Sequence, residues 1–166
     1  KRIMAHEFDN PTLALVRDLF IFACFTALSF VDMKELATDE IVEVNGEKWI
    51  LSKRHKTNVP FQVKLLDIPL QIIERYKYLS EDRLVFGKIN YWTMCKQLKK
   101  VMAECGIEKQ ISYHCARHTF GTLALSKGMP IESVSRVLGH TNIVTTQIYA
   151  KITTQKLDND LTMFGN

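Results

Sequence analysis

The chain has 166 residues, 46% of them apolar and 24% charged, with a formal net charge of +4. This balance fits one globular domain with enough apolar surface for a core. It excludes a disordered or collagen-like chain. The longest apolar stretch, Leu19 to Val31, has 13 residues and includes Thr26 and Ser29. A membrane span needs ~20, so this stretch is expected to be a buried helix. No apolar run with a small-residue cleavage site marks a secretory signal. The chain opens on Lys1 rather than Met, and we expect a piece of a longer chain.

In chain order, residues 11–28 are predicted as a helix that Pro11 opens. Leu13, Val16, Leu19, Phe20, Ala23 and Ala27 recur along it at helical steps. A short helix is expected over 32–37. The period then shortens, and residues 41–44, 48–52 and 62–68 are predicted as strands. Asn45-Gly46 is a hairpin turn signal between the first two. After Pro69 the pattern is helical. Ile72, Ile73, Tyr76 and Leu79 form one stripe. Tyr91, Cys95, Leu98, Met102 and Cys105 form another, ended by Gly106. Lys96, Lys99 and Lys100 lie off that stripe, as a solvated face or as phosphate contacts. Further helices are expected over 114–127, from Pro130 to Gly139, from Thr141 or Asn142 through Tyr149, and over 154–163. The fold class is therefore α+β, mainly helical, with a small three-stranded antiparallel sheet.

Charge is uneven: residues 1–56 sum to −1 and residues 57–166 to +5. That distribution suits a nucleic-acid partner and is also common among enzymes. Cys24, Cys95, Cys105 and Cys115 form no CxxC pair, and we expect reduced thiols in the core rather than a zinc site. His114 and His118 are four apart, but the Glu of HExxH is missing, so no metal is expected.

Several reactive side chains fall near element ends. His114 and Arg117 share a helix face, and Gly121 one turn on leaves room for a bulky neighbour. His140 follows the helix-stopping Gly139, and Tyr149 comes nine residues later. Lys56 lies at a strand end with Arg54 two residues earlier, which would put both on one face. Taken singly, each has a structural reading: a satisfied histidine, or a core tyrosine with a bonded hydroxyl.

Together, His114-Cys-Ala-Arg117-His-Thr-Phe, Leu138-Gly139-His140-Thr-Asn and Tyr149 resemble the HxxR, LGH and Tyr signature of the tyrosine recombinases, the phage-integrase family. Lys56, in Arg54-His55-Lys56-Thr57, is similar to the family's strand lysine. Thr26-Ala-Leu-Ser-Phe-Val-Asp32 is similar to its TGLRxxE/D helix. The resemblance covers essentially the whole chain and implies a tyrosine-recombinase catalytic fold over 1–166. It implies a C-terminal catalytic domain whose N-terminal DNA-binding domains lie outside this chain, and so weak, salt-sensitive DNA binding by this piece alone.

It also implies a chemistry. A tyrosine attacks a DNA phosphate, displaces a 5′-hydroxyl and leaves a 3′-phosphotyrosyl bond, with no cofactor and no metal. On this resemblance Tyr149 is the nucleophile, Arg117 binds the non-bridging oxygens and His140 donates to the same phosphate. His114 assists proton transfer at the tyrosine, Lys56 protonates the leaving oxygen, and Asp32 orients the site. The implied partners are double-stranded DNA attachment sites, accessory DNA-bending proteins and a homotetramer joined through the apolar tail Leu157, Leu161, Met163 and Phe164. That tail is equally able to fold back on its own domain. The implied location is the bacterial cytoplasm, at the nucleoid, with no membrane partner.

One position departs from the pattern. The family normally carries arginine where this chain has Ser29, and serine provides no guanidinium fork. A subgroup of conjugative-transposon integrases resembles this chain at that position, so integration or excision of a mobile element is the expected task. Either Arg54 replaces the missing cation, or the site is impaired and the chain is a DNA-binding regulator. A chromosome-dimer resolvase and a type IB topoisomerase are neighbouring readings.

Overall fold

The computed structural model describes residues 2–150, 157 and 161–163. A short helix, α1 (Arg2–Ala5), precedes the central helix α2 (Pro11–Thr26). Asn10 caps α2, its side chain accepting from Thr12 N and Leu13 N, with Pro11 in the first turn. Ala27 ends the helix in the left-handed conformation rather than continuing it to residue 28. Leu19, Phe22 and Ala23 are fully buried, because α2 is enclosed on several sides and not along one stripe only.

Helix α3 (Phe30–Lys34) starts two residues before the expected position. Ser29 accounts for this: its hydroxyl accepts from Asp32 N and caps the helix. A 3-10 turn (Thr38–Glu40) leads into the sheet β1 (Ile41–Val44), β2 (Glu47–Lys53) and β3 (Pro60–Lys64), antiparallel in that order. Val44 pairs with Glu47 across Asn45-Gly46, both at positive φ as a type I′ hairpin requires. β3 ends at Lys64 because the next helix already begins at Asp67.

That helix, α4 (Asp67–Arg75), holds Pro69 inside its first turn rather than before it. Proline is tolerated there because the first N–H groups have no partner within the helix. A 3-10 turn (Lys77–Leu79) follows, then α5 (Tyr91–Glu104), capped by Asn90. The buried face of α5 is Met94, Leu98, Val101 and Met102, not the expected line through Tyr91, Cys95 and Cys105. Tyr91 is half exposed and meets the core residue Phe30 ring to ring at 5.0 Å and 64°. Among the described residues all four cysteines are free and half-buried; Cys24 and Cys115 pack against the core, whereas Cys95 and Cys105 do not.

Helices α6 (Cys115–Ser126), α7 (Ile131–Leu138) and α8 (Val144–Gln147) complete the domain. Helices α4, α5 and α6 pack around α2, and α7 packs on β3 and α6. The large core lies among α2 to α5 and the sheet. A second, smaller core joins Ala27, Ala124, Leu125, Val134, Leu138 and Tyr149. Helix α8 stops at Gln147, so Tyr149 sits on the turn after it rather than within it. Most of the helix expected over 154–163 lies outside the described residues, as does Phe164. Leu157, Leu161 and Met163 are exposed.

Candidate active site

Four elements converge at the start of α6. The α3 N-terminus brings Ser29 and Asp32. The end of β2 brings Arg54. Helix α6 brings Arg117 and His118, with His114 just before its first turn. The segment after α7 brings His140 and Tyr149.

Asp32 is buried at the centre of this group. It accepts from Ser29 Oγ at 2.7 Å, Arg54 Nη1 at 2.9 Å and the His55 backbone N at 2.9 Å. Burial alone would raise its pKa, but these donors outweigh burial and hold the carboxyl below its ordinary value.

Arg54 is only 5% exposed. Besides Asp32, it donates from Nη2 to Val137 O at 2.6 Å and lies 3.8 Å over the Phe61 ring. Its Nε is buried and has no hydrogen-bond partner among the described residues. Gly139 makes this approach feasible, since a Cβ there would lie 2.9 Å from Arg54 Cγ and Nε. Burial lowers the Arg54 pKa, and Asp32 opposes that shift.

Arg54 therefore does not share a strand face with Lys56. β2 ends at Lys53, and Lys56 stands exposed on the turn over residues 55–57. The backbone of that turn reverses direction between the two side chains: Asn58 N returns to Arg54 O at 2.7 Å.

Arg117 spans the site from the other side. Nη1 donates to Ala27 O at 2.8 Å, and Nη2 donates to Leu138 O. The two arginines thus satisfy the last carbonyls of α7, where the helix dipole favours a cation. Burial, then the neighbouring Arg54, bring the Arg117 pKa down to about 10, while Tyr149 and Asp32 oppose this. It remains charged at neutral pH.

His140 follows the left-handed Gly139 cap, and its Nδ1 lies 2.9 Å from Thr146 Oγ1. Burial, Arg117 and Arg54 lower its pKa to about 4, so the ring is neutral at physiological pH. His114 is exposed just before α6, its pKa lowered by burial, His118 and Arg117.

Tyr149 is 8% exposed. Its ring lies against Gly121, where a Cβ would come within 2.9 Å of Cγ and Cδ2. The His140 ring is parallel to it at 6.5 Å, and the His118 ring meets it at 5.2 Å and 63°. Burial raises the Tyr149 pKa, and the Arg117 charge pulls it back.

The expected residues Asp32, Arg54, Arg117, His140 and Tyr149 are thus brought together. His114 stands at their edge and Lys56 on an exposed turn beside them. Lys96, Lys99 and Lys100 are exposed on α5. Contributors not expected from the sequence include the Ala27 and Val137 carbonyls, the Phe61 ring, the Thr146 hydroxyl and the His118 ring. Only His118 carried a signal, lying on the face that holds His114 and Gly121.

Curated relatives carry matching sequences. Tyrosine recombinase XerD of Listeria monocytogenes is 44% identical over 118 residues, covering 68% of this chain and 39% of its own. Tyrosine recombinase XerA of Saccharolobus solfataricus is 36% identical over 130 residues, covering 76% of this chain and 43% of its own. The chain thus spans less than half the length of these relatives. Among solved structures, XerH recombinase bound to difH substrate superposes with a TM-score of 0.75 at 21% identity, over 98% of this chain and 50% of that one. The Tn1549 transposon integrase in complex with circular-intermediate DNA gives 0.71 at 14% identity, over 92% and 59%. Residues 1–156 match the model of the Phage integrase family; the chain belongs to that family.

Proposed function

We propose that this chain is the catalytic domain of a site-specific DNA recombinase or integrase that cuts and rejoins DNA strands through a 3′-phosphotyrosyl intermediate, for integration or excision of a mobile element. The observation that carries this reading is the docking of Tyr149 against α6, in one cluster with Arg117, His140 and the Arg54–Asp32 pair.

In this reading the Tyr149 oxygen attacks the phosphorus in line. A new P–O bond forms as the bond to the 5′-oxygen breaks, so the bond energy is kept and the step reverses. The phenolic proton passes to His114. The 5′-oxygen takes a proton from Lys56, whose exposed turn suits a mobile ammonium. Arg117 uses two of its five N–H donors on Ala27 O and Leu138 O. These bonds fix the guanidinium plane and leave other donors for non-bridging oxygens. If His140 Nδ1 accepts from Thr146, Nε2 carries the proton and donates to the phosphate. The Arg54 charge stands in for the cation that Ser29 lacks, since both side chains bond the same Asp32 oxygen.

The other parts of the reading are a duplex-DNA face through Lys96, Lys99 and Lys100, and a homotetramer through the exposed Leu157, Leu161 and Met163. DNA-binding domains beyond this chain and accessory bending proteins complete it. The test is covalent trapping. Nicked random-sequence duplexes are incubated with the protein, and SDS-resistant adducts are recovered and sequenced. An adduct that maps to Tyr149 and is absent from Tyr149→Phe is the expected result. Binding without any adduct favours a DNA-binding regulator.

A further inference from the structure

The face of α6 that carries His114 continues through His118 to Gly121, and this part of the helix forms a slot for the nucleophile. Gly121 is its floor: the missing Cβ lets the Tyr149 ring rest on the helix backbone. His118 is its wall, edge to face with Tyr149 at 5.2 Å and with His114 at 4.7 Å and 86°. The His140 ring is parallel to Tyr149 but farther off, at 6.5 Å, and its backbone N is held by Ser135 O of α7. His118 and Gly121 belong to the body of the domain. They are what an approaching tyrosine meets.

We propose that His118 is a positioning residue, whose ring holds the Tyr149 phenol in its docked orientation before attack. The proposal rests on the recombinase reading above. The wall acts through ring packing, not through its nitrogens. Edge-to-face aromatic pairs favour separations of 4.5–7 Å, and the two contacts of His118 fall in that range. A misdirected nucleophile slows attack even when DNA binding is intact.

The test uses the protein with His118→Ala and His118→Phe variants, on the duplex recovered by covalent capture with the parent. We expect His118→Ala to form adduct about three- to tenfold more slowly at saturating DNA, with unchanged DNA affinity. His118→Phe, which keeps a ring, restores the rate to within about twofold of the parent. A readout without DNA accompanies this. Tetranitromethane nitrates Tyr149 faster in His118→Ala than in the parent, and His118→Phe restores protection.

A parental rate or parental nitration in His118→Ala overturns the proposal. So does a His118→Phe variant that nitrates like the parent and reacts as slowly as His118→Ala, since the nitrogens are then required. Weakened DNA affinity at an unchanged saturating rate makes His118 a DNA contact instead. A parent that forms no adduct overturns the recombinase reading, and this proposal with it.

Discussion

Tyr149 rests on the backbone of α6 at Gly121, so closely that a single methyl group on that residue would collide with its ring. A Cβ there would approach Cγ and Cδ2 to 2.9 Å. Gly121→Ala gains about 1 kcal/mol of helix propensity, yet it must push the phenol ring out of its site. We expect adduct formation to fall at least ~10-fold, because attack depends on the docked orientation. Thermal stability should change little. A single-turnover cleavage assay beside a melting curve separates the two effects.

Arg117 joins the end of α2 to the end of α7 through the carbonyls of Ala27 and Leu138. Lysine keeps the charge but cannot span both carbonyls. Arg117→Lys is therefore expected to lose cleavage by about 100–1000-fold, as for loss of one transition-state donor. Arg117→Ala should also destabilise the fold by about 1–3 kcal/mol, by leaving buried carbonyls unpaired. Denaturant titration of both variants checks the second part.

Asp32 and Arg54 form an ion pair buried on both sides. Asp32→Ala leaves a buried guanidinium without its anion and is expected to cost about 3–5 kcal/mol. Arg54→Ala is expected to slow cleavage of a nicked duplex, and Ser29→Arg in that background to restore it in part. A cleavage rate equal to the parent in Arg54→Ala would falsify the substitution of Arg54 for the missing cation.

The His140 pKa falls to about 4 in the fold, from burial and the two arginine charges. The unfolded chain binds this proton near pH 6.5. Between these values the unfolded state holds more protons, so stability rises with pH across the window and is lost as pH falls through it. We expect a contribution of about 1–2 kcal/mol, below the unscreened shift because the ring is half exposed. His140→Asn should remove that slope relative to the parent in chemical denaturation from pH 4.5 to 7.5.

Lys96, Lys99 and Lys100 are exposed on α5. If all three meet phosphates, their replacement by glutamine reduces the slope of log K against log salt by about 2–3. Binding measured across a salt series checks this. An unchanged slope identifies them as a solvated face.

Much of the chain was legible because its signals are local. Pro11, Asn45-Gly46, Gly106 and Gly139 each act on backbone groups within one turn, and each starts or stops an element near the expected residue. The start of α3 moved because a side chain bonds the backbone, Ser29 capping the helix. The buried face of α5 was misjudged because two apolar lines compete on that helix, and only its neighbours choose between them.

Which reactive side chains the chain carries, and their spacing along single elements, is readable without any fold: His114 with Arg117, and His140 with Tyr149. Tertiary structure alone decided which of them meet. Arg54 reaches Asp32 across 22 positions and Val137 across 83, and Arg117 reaches Ala27 across 90. Such contacts follow from how α3, β2, α6 and α7 pack, and no pattern within one element encodes them. For the same reason Arg54 and Lys56, two residues apart, part company: the turn at residues 55–57 leaves one in the interior and the other in solvent.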